Sequence, residues 1–327
     1  MKRRYLLLLL SAAGTLQALG ARAQARTLPT VGFLNSASPD TYAFNAQAFR
    51  EGLREAGFVE GQNVAIDSRW ASGDYARLPA LALDLVRAKV AVIAATGDIA
   101  SARAAQEATS IIPIVFTVGS DPVGFGLVSN LSRPGGNATG ITLFSSTLSA
   151  KRLELLREVV PGATVVALLM NPANPNVDSD IRAAQDAARM LGRQTVVVNA
   201  DSAEAFDAAF RQAREKRAGA MLVASDPMFL GQRKTLAKLA ASHRIPVMYW
   251  AREFAEDGGL ISYGTSITWM YRQAGIYCGK ILKGAKPADL PILQPSKFEM
   301  FINLKAAKAL GLAIPQVTLL RADEVIQ

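Results

Sequence analysis

The chain has 327 residues, half of them hydrophobic, with a single cysteine, a single histidine and a formal charge of +9. One cysteine excludes an intrachain disulfide, so a packed core must hold the fold, and this length can supply one. The basic residues are interleaved along the chain and form no stripe, which argues against a nucleic-acid binder.

The first element reads as an export signal. Lys2, Arg3 and Arg4 form a positive start, a leucine-rich run from Tyr5 to Leu10 follows, and no charge intervenes before Arg22. Two small-x-small sites close it, at Ala21-Arg22-Ala23 and Ala23-Gln24-Ala25, the order of a cleaved secretory signal. The apolar stretch is too short and too diluted by Ser, Gly, Thr and Gln for a spanning helix. Removing residues 1–25 leaves 302 residues and a charge of +5. No cysteine stands at the expected mature N-terminus, so a lipid anchor is not expected there and a free periplasmic protein is. The Arg3-Arg4 pair leaves the choice between the general and the twin-arginine route open.

The rest alternates short β-branched runs with helical periods. Strands are expected at 30–34, 64–70, 90–93 and 112–116, with helices over 42–56, 78–85 and 99–109 between them. Pro113 suits the beginning of its strand, since it cannot donate to a ladder. The pattern then restarts with helix 149–159, strand 164–170, helix 177–191, strand 195–199, helix 203–216, strand 220–224, helix 229–242 and strand 246–250. A strand at 260–263, a helix at 267–283 and a Pro-rich connection follow, and the tail adds strand 298–303 and helix 305–310. This alternation predicts an α/β protein with two parallel sheets covered on both faces. Residues 26–143 and 265–290 are expected to form one lobe, and residues 144–264 and 291–327 the other.

Open parallel sheets bind ligands beyond the carboxyl ends of their strands. The residues placed there are Asn35 and Ser36, Thr96 and Gly97, Thr117 with Asp121, Asn171, Ser225 with Asp226, Tyr249 with Trp250, and Tyr263. The candidate ligand-binding set is therefore Asn35, Ser36, Thr96, Gly97, Thr117, Asp121, Asn171, Asp226, Tyr249 and Tyr263. Neutral donors, two carboxylates and aromatic rings suit a small polar molecule with an apolar body. Asp121-Pro122 and Asp226-Pro227 also read as helix N-caps followed by proline. Asp226 or Asp121 is the natural partner of a ligand ammonium, and the Gly97 and Ser36 amides that of a carboxylate.

Catalytic patterns are missing. The single histidine, His243, stands at a predicted helix end, where it favours the dipole. There is no Ser-His-Asp set, no metal-ligand cluster and no phosphate loop, and Gly135-Gly136 reads as a turn. Neither an enzyme, a metal nor a cofactor is expected. Cys278, among Ile276, Tyr277 and Ile281, reads as a small buried hydrophobe.

Ordered short motifs carry a family resemblance along almost the whole mature length. They include Phe49-Arg50-Glu51-Gly52-Leu53, Gly57 through Val64, Ile112-Pro113-Ile114-Val115-Phe116, Arg133-Pro134-Gly135-Gly136-Asn137 and Asn171-Pro172-Ala173-Asn174-Pro175. Gly258 through Gly264 and Lys283 through Pro291 continue the series. The chain resembles the ABC-transporter substrate-binding proteins related to tryptophan and tyrosine binding components. The resemblance implies two Rossmann-like lobes joined by a hinge, the type I periplasmic-binding fold, closing on an amino-acid-like or aromatic solute. Its implied partners are an inner-membrane permease and a cytoplasmic ATPase, with the binding protein a monomer. By position it assigns ligand contacts to Asn35, Thr96, Thr117, Asp121, Asn171, Asp226 and Tyr263. Two other readings stay open: a periplasmic sensor that shows its closed form to a receptor, and a carboxylate-dependent enzyme.

Overall fold

The computed structural model describes residues 28–327; the predicted signal, residues 1–25, lies outside the described residues. Runs such as Val92–Thr96 and Ile114–Val118 are buried at every position, as expected for parallel strands with helices on both faces. They form a five-stranded sheet of β1 (Thr30–Asn35), β2 (Ala65–Trp70), β3 (Val92–Thr96), β4 (Ile114–Val118) and β5 (Ala138–Thr142). Its order is β2-β1-β3-β4-β5, all parallel. Helices α1 (Pro39–Glu55), α2 (Leu78–Arg87) and α3 (Ile99–Ala108) connect the first four strands. Predicted strand starts at 90 and 112 move inward to Val92 and Ile114, so Pro113 sits just outside the ladder.

The second lobe holds β6 (Val165–Met170), β7 (Gln194–Asn199), β8 (Ala220–Val223), β9 (Val247–Tyr249), β10 (Ile261–Gly264), β11 (Glu299–Asn303) and β12 (Glu324–Ile326). Their order is β12-β11-β10-β9-β8-β6-β7. The sheet is parallel except between β10 and β11, which run antiparallel. Helices α4 (Ser149–Val159), α5 (Val177–Met190) and α6 (Phe206–Glu215) cover it. The single helix expected over 229–242 is two, α7 (Pro227–Gly231) and α8 (Arg233–His243), broken at Gln232. A short α9 (Arg252–Glu256) follows β9.

Helix α10 (Ile267–Leu282) leaves the second lobe and packs along α1 in the first. The approach is close enough that a Cβ on Gly52 would overlap the Arg272 carbonyl oxygen, and one on Gly275 that of Phe49. The chain returns once more after Leu293, which is bridged to Ile141 of β5; it then enters β11 and closes with α11 (Leu304–Ala309) and α12 (Gln316–Leu319). Three segments therefore join the lobes: 143–148, 264–266 and 294–298. Cys278 is fully buried in α10, and burial pushes its thiol pKa well above the usual range. His243 ends α8, where its ring stacks on Phe210 and bonds to Asp207 at 2.8 Å.

Gly275→Ala should destabilise the protein by about 1–3 kcal/mol, because backbone on the facing helix leaves no room for a methyl. Gly136→Ala, where nothing lies within 4 Å of the added carbon, should stay within about 0.5 kcal/mol of the parent. Denaturant melts of both variants measure the contrast.

Candidate ligand-binding site

The carboxyl ends of the two sheets face each other across a narrow cavity. From the first lobe come Tyr42 of α1, Gly97 and Asp98 between β3 and α3, and Gly119 beyond β4. Ile267, Met270 and Tyr271 reach it from the first turn and a half of α10, on the i, i+3, i+4 face. The second lobe contributes Asn174 and Asn176 after β6, Ser225, Asp226 and Pro227 after β8, and Trp250 after β9. Another hollow, lined by Arg50, Glu51, Arg54 and Phe58, lies on the outside of α1.

Of the residues chosen from sequence, Gly97 and Asp226 line this cavity. Gly97 has a φ of +102°, and a side chain there would overlap the Ser36 hydroxyl. Asn35, Thr96 and Thr117 lie one layer below, fully buried. Asn35 donates to Thr96 Oγ1 at 2.8 Å and to the Tyr271 hydroxyl at 2.9 Å, so it holds the ring that forms the wall. Thr117 Oγ1 accepts from the Gly97 amide at 3.3 Å. Ser36 is buried beside Gly97 with no hydrogen-bond partner for its hydroxyl. Asn171 donates to Asp226 at 3.1 Å.

Three others are not brought to the cavity. Asp121 is exposed and caps its own turn at the Val123 amide, 2.9 Å away. Tyr249 is 0% exposed in the core, stacked on Phe254 at 4.5 Å. Tyr263 stacks on Phe298, and its carbonyl accepts from Arg152 at 2.8 Å. Alternation explains the difference between Tyr249 and its neighbour. Within β9 the tyrosine ring faces the helices, whereas Trp250, one residue past the strand, turns to the cleft. Asp98 was legible as the residue before a helix; Tyr42 and Tyr271 lie within helices, where reading strand ends does not look.

Two carboxylates dominate the electrostatics, one from each lobe. Asp226 is 1% exposed and saturated: Oδ2 accepts from Asn174 at 2.8 Å, Asn171 at 3.1 Å and the Tyr75 hydroxyl at 3.2 Å, and Oδ1 from the Met228 amide at 2.8 Å. Burial raises its pKa, and these donors offset part of the rise. The Tyr75 bond spans the lobes, since Tyr75 lies between β2 and α2. Asp98 is 3% exposed; Oδ1 caps α3 at the Ser101 amide, 3.1 Å away, and Oδ2 has no hydrogen-bond partner. Burial lifts its pKa from 3.8 to about 6, tempered by the Ser101 amide and the nearby Ser36 and Tyr75 hydroxyls. Ser225 Oγ, Trp250 Nε1 and Asn176 Oδ1 are likewise buried without partners.

The folded protein holds the Asp98 proton up to about pH 6, whereas an unfolded chain releases it near 4. Stability contributed by this group is therefore present below pH 4 and lost as pH rises through 6. Asp98→Asn keeps the cap and removes the loss. At pH 7.5 it should stabilise the ligand-free protein by about 1–3 kcal/mol, and by little at pH 4. Urea melts at the two pH values test this.

Among the described residues no group of three His, Cys, Asp or Glu side chains could hold a metal ion, and no helix is long and apolar enough to cross a membrane. Comparison with known proteins gives the site its context. The tyrosine-binding protein of Clostridioides difficile (strain R20291) is 26% identical over 281 residues, 85% of this chain and 80% of that protein. A Streptococcus pneumoniae ABC domain in complex with L-Trp superposes with a TM-score of 0.82 at 24% identity, covering 92% of this chain and 100% of that one. The ligand-free, open structure of a Clostridium difficile substrate-binding protein gives 0.65 at 26% identity and the same coverages, 92% and 100%. The fold is that of the type I periplasmic binding proteins. With residues 31–326 matched to the family described as ABC transporter substrate binding protein, the chain belongs to that family.

Proposed function

We propose that this protein captures an aromatic amino acid between its lobes and presents it, unaltered, to an ABC permease driven by a cytoplasmic ATPase. The observation that carries the reading is the set of buried, unpartnered polar atoms around one cavity. Asp98 Oδ2 stands in one lobe; Ser225 Oγ, Trp250 Nε1 and Asn176 Oδ1 stand in the other. Unpaired buried polar groups are costly unless something completes them, and a ligand held between the lobes would reach both sides. Tyr42, Trp250 and Tyr271 supply aromatic wall, which suits a flat ring. The names of the tyrosine-binding relative and the L-Trp complex support the same class.

Hinge closure is the working motion. The Tyr75–Asp226 bond across the cleft belongs to a closed arrangement, and the better superposition on the L-Trp complex than on the open structure agrees with it. Residues 1–25 would take the chain to the periplasm, where it works as a monomer.

L-Trp, L-Tyr or L-Phe at about 100 times its dissociation constant should stabilise the protein by about 2.7 kcal/mol in a thermal-shift assay. The ligand should leave unchanged in mass, and small-angle scattering should show compaction on binding. Absence of a shift with all three would defeat the aromatic reading. Tyr75→Phe should weaken the best ligand about 3- to 10-fold by loosening the closed state, measured by calorimetry.

A further inference from the structure

The cavity is lopsided in charge. It contains two carboxylates, Asp98 and Asp226, and none of the described residues that line it is Lys, Arg or His. Arg152 sits in the adjoining recess behind Ser225, where it donates to the Tyr263 carbonyl and faces Asp180. Two of the backbone amides near Asp98 are already engaged. The Gly97 amide already donates to Thr117, and the start of α3 is capped by Asp98 itself. The unpartnered buried side-chain donors there, the Trp250 indole N–H and the Ser225 and Ser36 hydroxyls, are all neutral. For a ligand cation the provision is different: Asp98 Oδ2 makes no direct hydrogen bond at 3% exposure, has only the neutral Ser36 and Tyr75 hydroxyls near it, and stands close to a second carboxylate. A buried carboxylate without a counter-charge is costly, and a primary ammonium is the group that relieves it.

We propose that the site selects its ligand by the ammonium rather than the carboxylate, with Asp98 as the specificity-determining anchor. Arylalkylamines then bind at least as tightly as the parent amino acids. Asp226, whose Oδ2 already accepts three hydrogen bonds, holds Tyr75 and the two asparagines and adds negative potential beside the anchor. For the body of the ligand this inference rests on the aromatic reading above; for the head group it stands on the charge inventory alone.

The test is calorimetry on three matched series: L-tryptophan, tryptamine and indole-3-propionate; L-tyrosine, tyramine and 3-(4-hydroxyphenyl)propionate; isopentylamine and 4-methylpentanoate. Each amine should match or exceed its amino acid, and each acid should bind at least 100-fold more weakly. Asp98→Asn, which retains the helix cap, should cost the amines about 100-fold and leave the acids no weaker. Lowering the pH from 7 to 5 should weaken tryptamine about 10-fold in the parent protein as Asp98 takes up its proton, and leave the variant nearly flat. Tyr42, Tyr75 and Tyr271, which also face Asp98, stay protonated throughout because burial raises them. Asp226 is the other titrating neighbour, and the variant separates its share.

An acid within 10-fold of its amino acid, an amine 10-fold weaker than its amino acid, or normal amine binding by Asp98→Asn would overturn the proposal. If isopentylamine binds through Asp98 while both aromatic series fail, the aromatic reading falls and this one stands. If nothing bearing an ammonium binds, both fall.

Discussion

The contact on which the site depends is the backbone-to-backbone packing of α10 against α1. Gly52 and Gly275 let the two helices approach until carbonyl oxygens lie where side chains would stand. That approach draws a segment following the second lobe's strands back over the first lobe's sheet, and so requires the chain to cross the cleft again. It also aims the first turns of α10 at the cavity, with Tyr271 fixed by Asn35 from below. The hinge, the wall and the division of the chain into lobes all follow from one helix pair.

Within that frame the two aspartates play unlike parts although both cap helices. Asp226 is surrounded by donors from its own lobe and by Tyr75 from the other, so it serves as part of the closed architecture. Asp98 has one oxygen bound to its helix and one without a direct hydrogen bond. Equal burial with unequal hydrogen bonding makes one group a strut and leaves the other reactive toward a cation. A binding site of this sort stores its cost in the empty state and recovers it when filled.

Much of the architecture was legible because parallel strands buried on both faces leave unbroken apolar runs, and because Gly57 and Asp226-Pro227 punctuate helices. Asp121-Pro122, read as a second helix start, opens only a turn. The antiparallel β10–β11 pair and the three-residue β12 were not legible, since pairing direction leaves no mark in so short a segment. Reading strand ends pointed to the sheet edge and the loops that border the cavity. It chose Asn35, Thr96 and Thr117, which brace the cavity, over Asp98, Tyr271 and Trp250, which line it. The cause is geometric: the last residue of a strand still points into a packed face, and the next one or two turn outward. Tyr249 and Trp250 show the rule in adjacent positions.

The late arrival of α10 also bears on how the chain folds. Asn35 and Tyr271, whose hydrogen bond ties β1 to α10, lie 236 positions apart. Lobe one therefore cannot complete its packing until nearly the whole polypeptide has been made, however early its own strands emerge. Long-range closure of this kind slows folding.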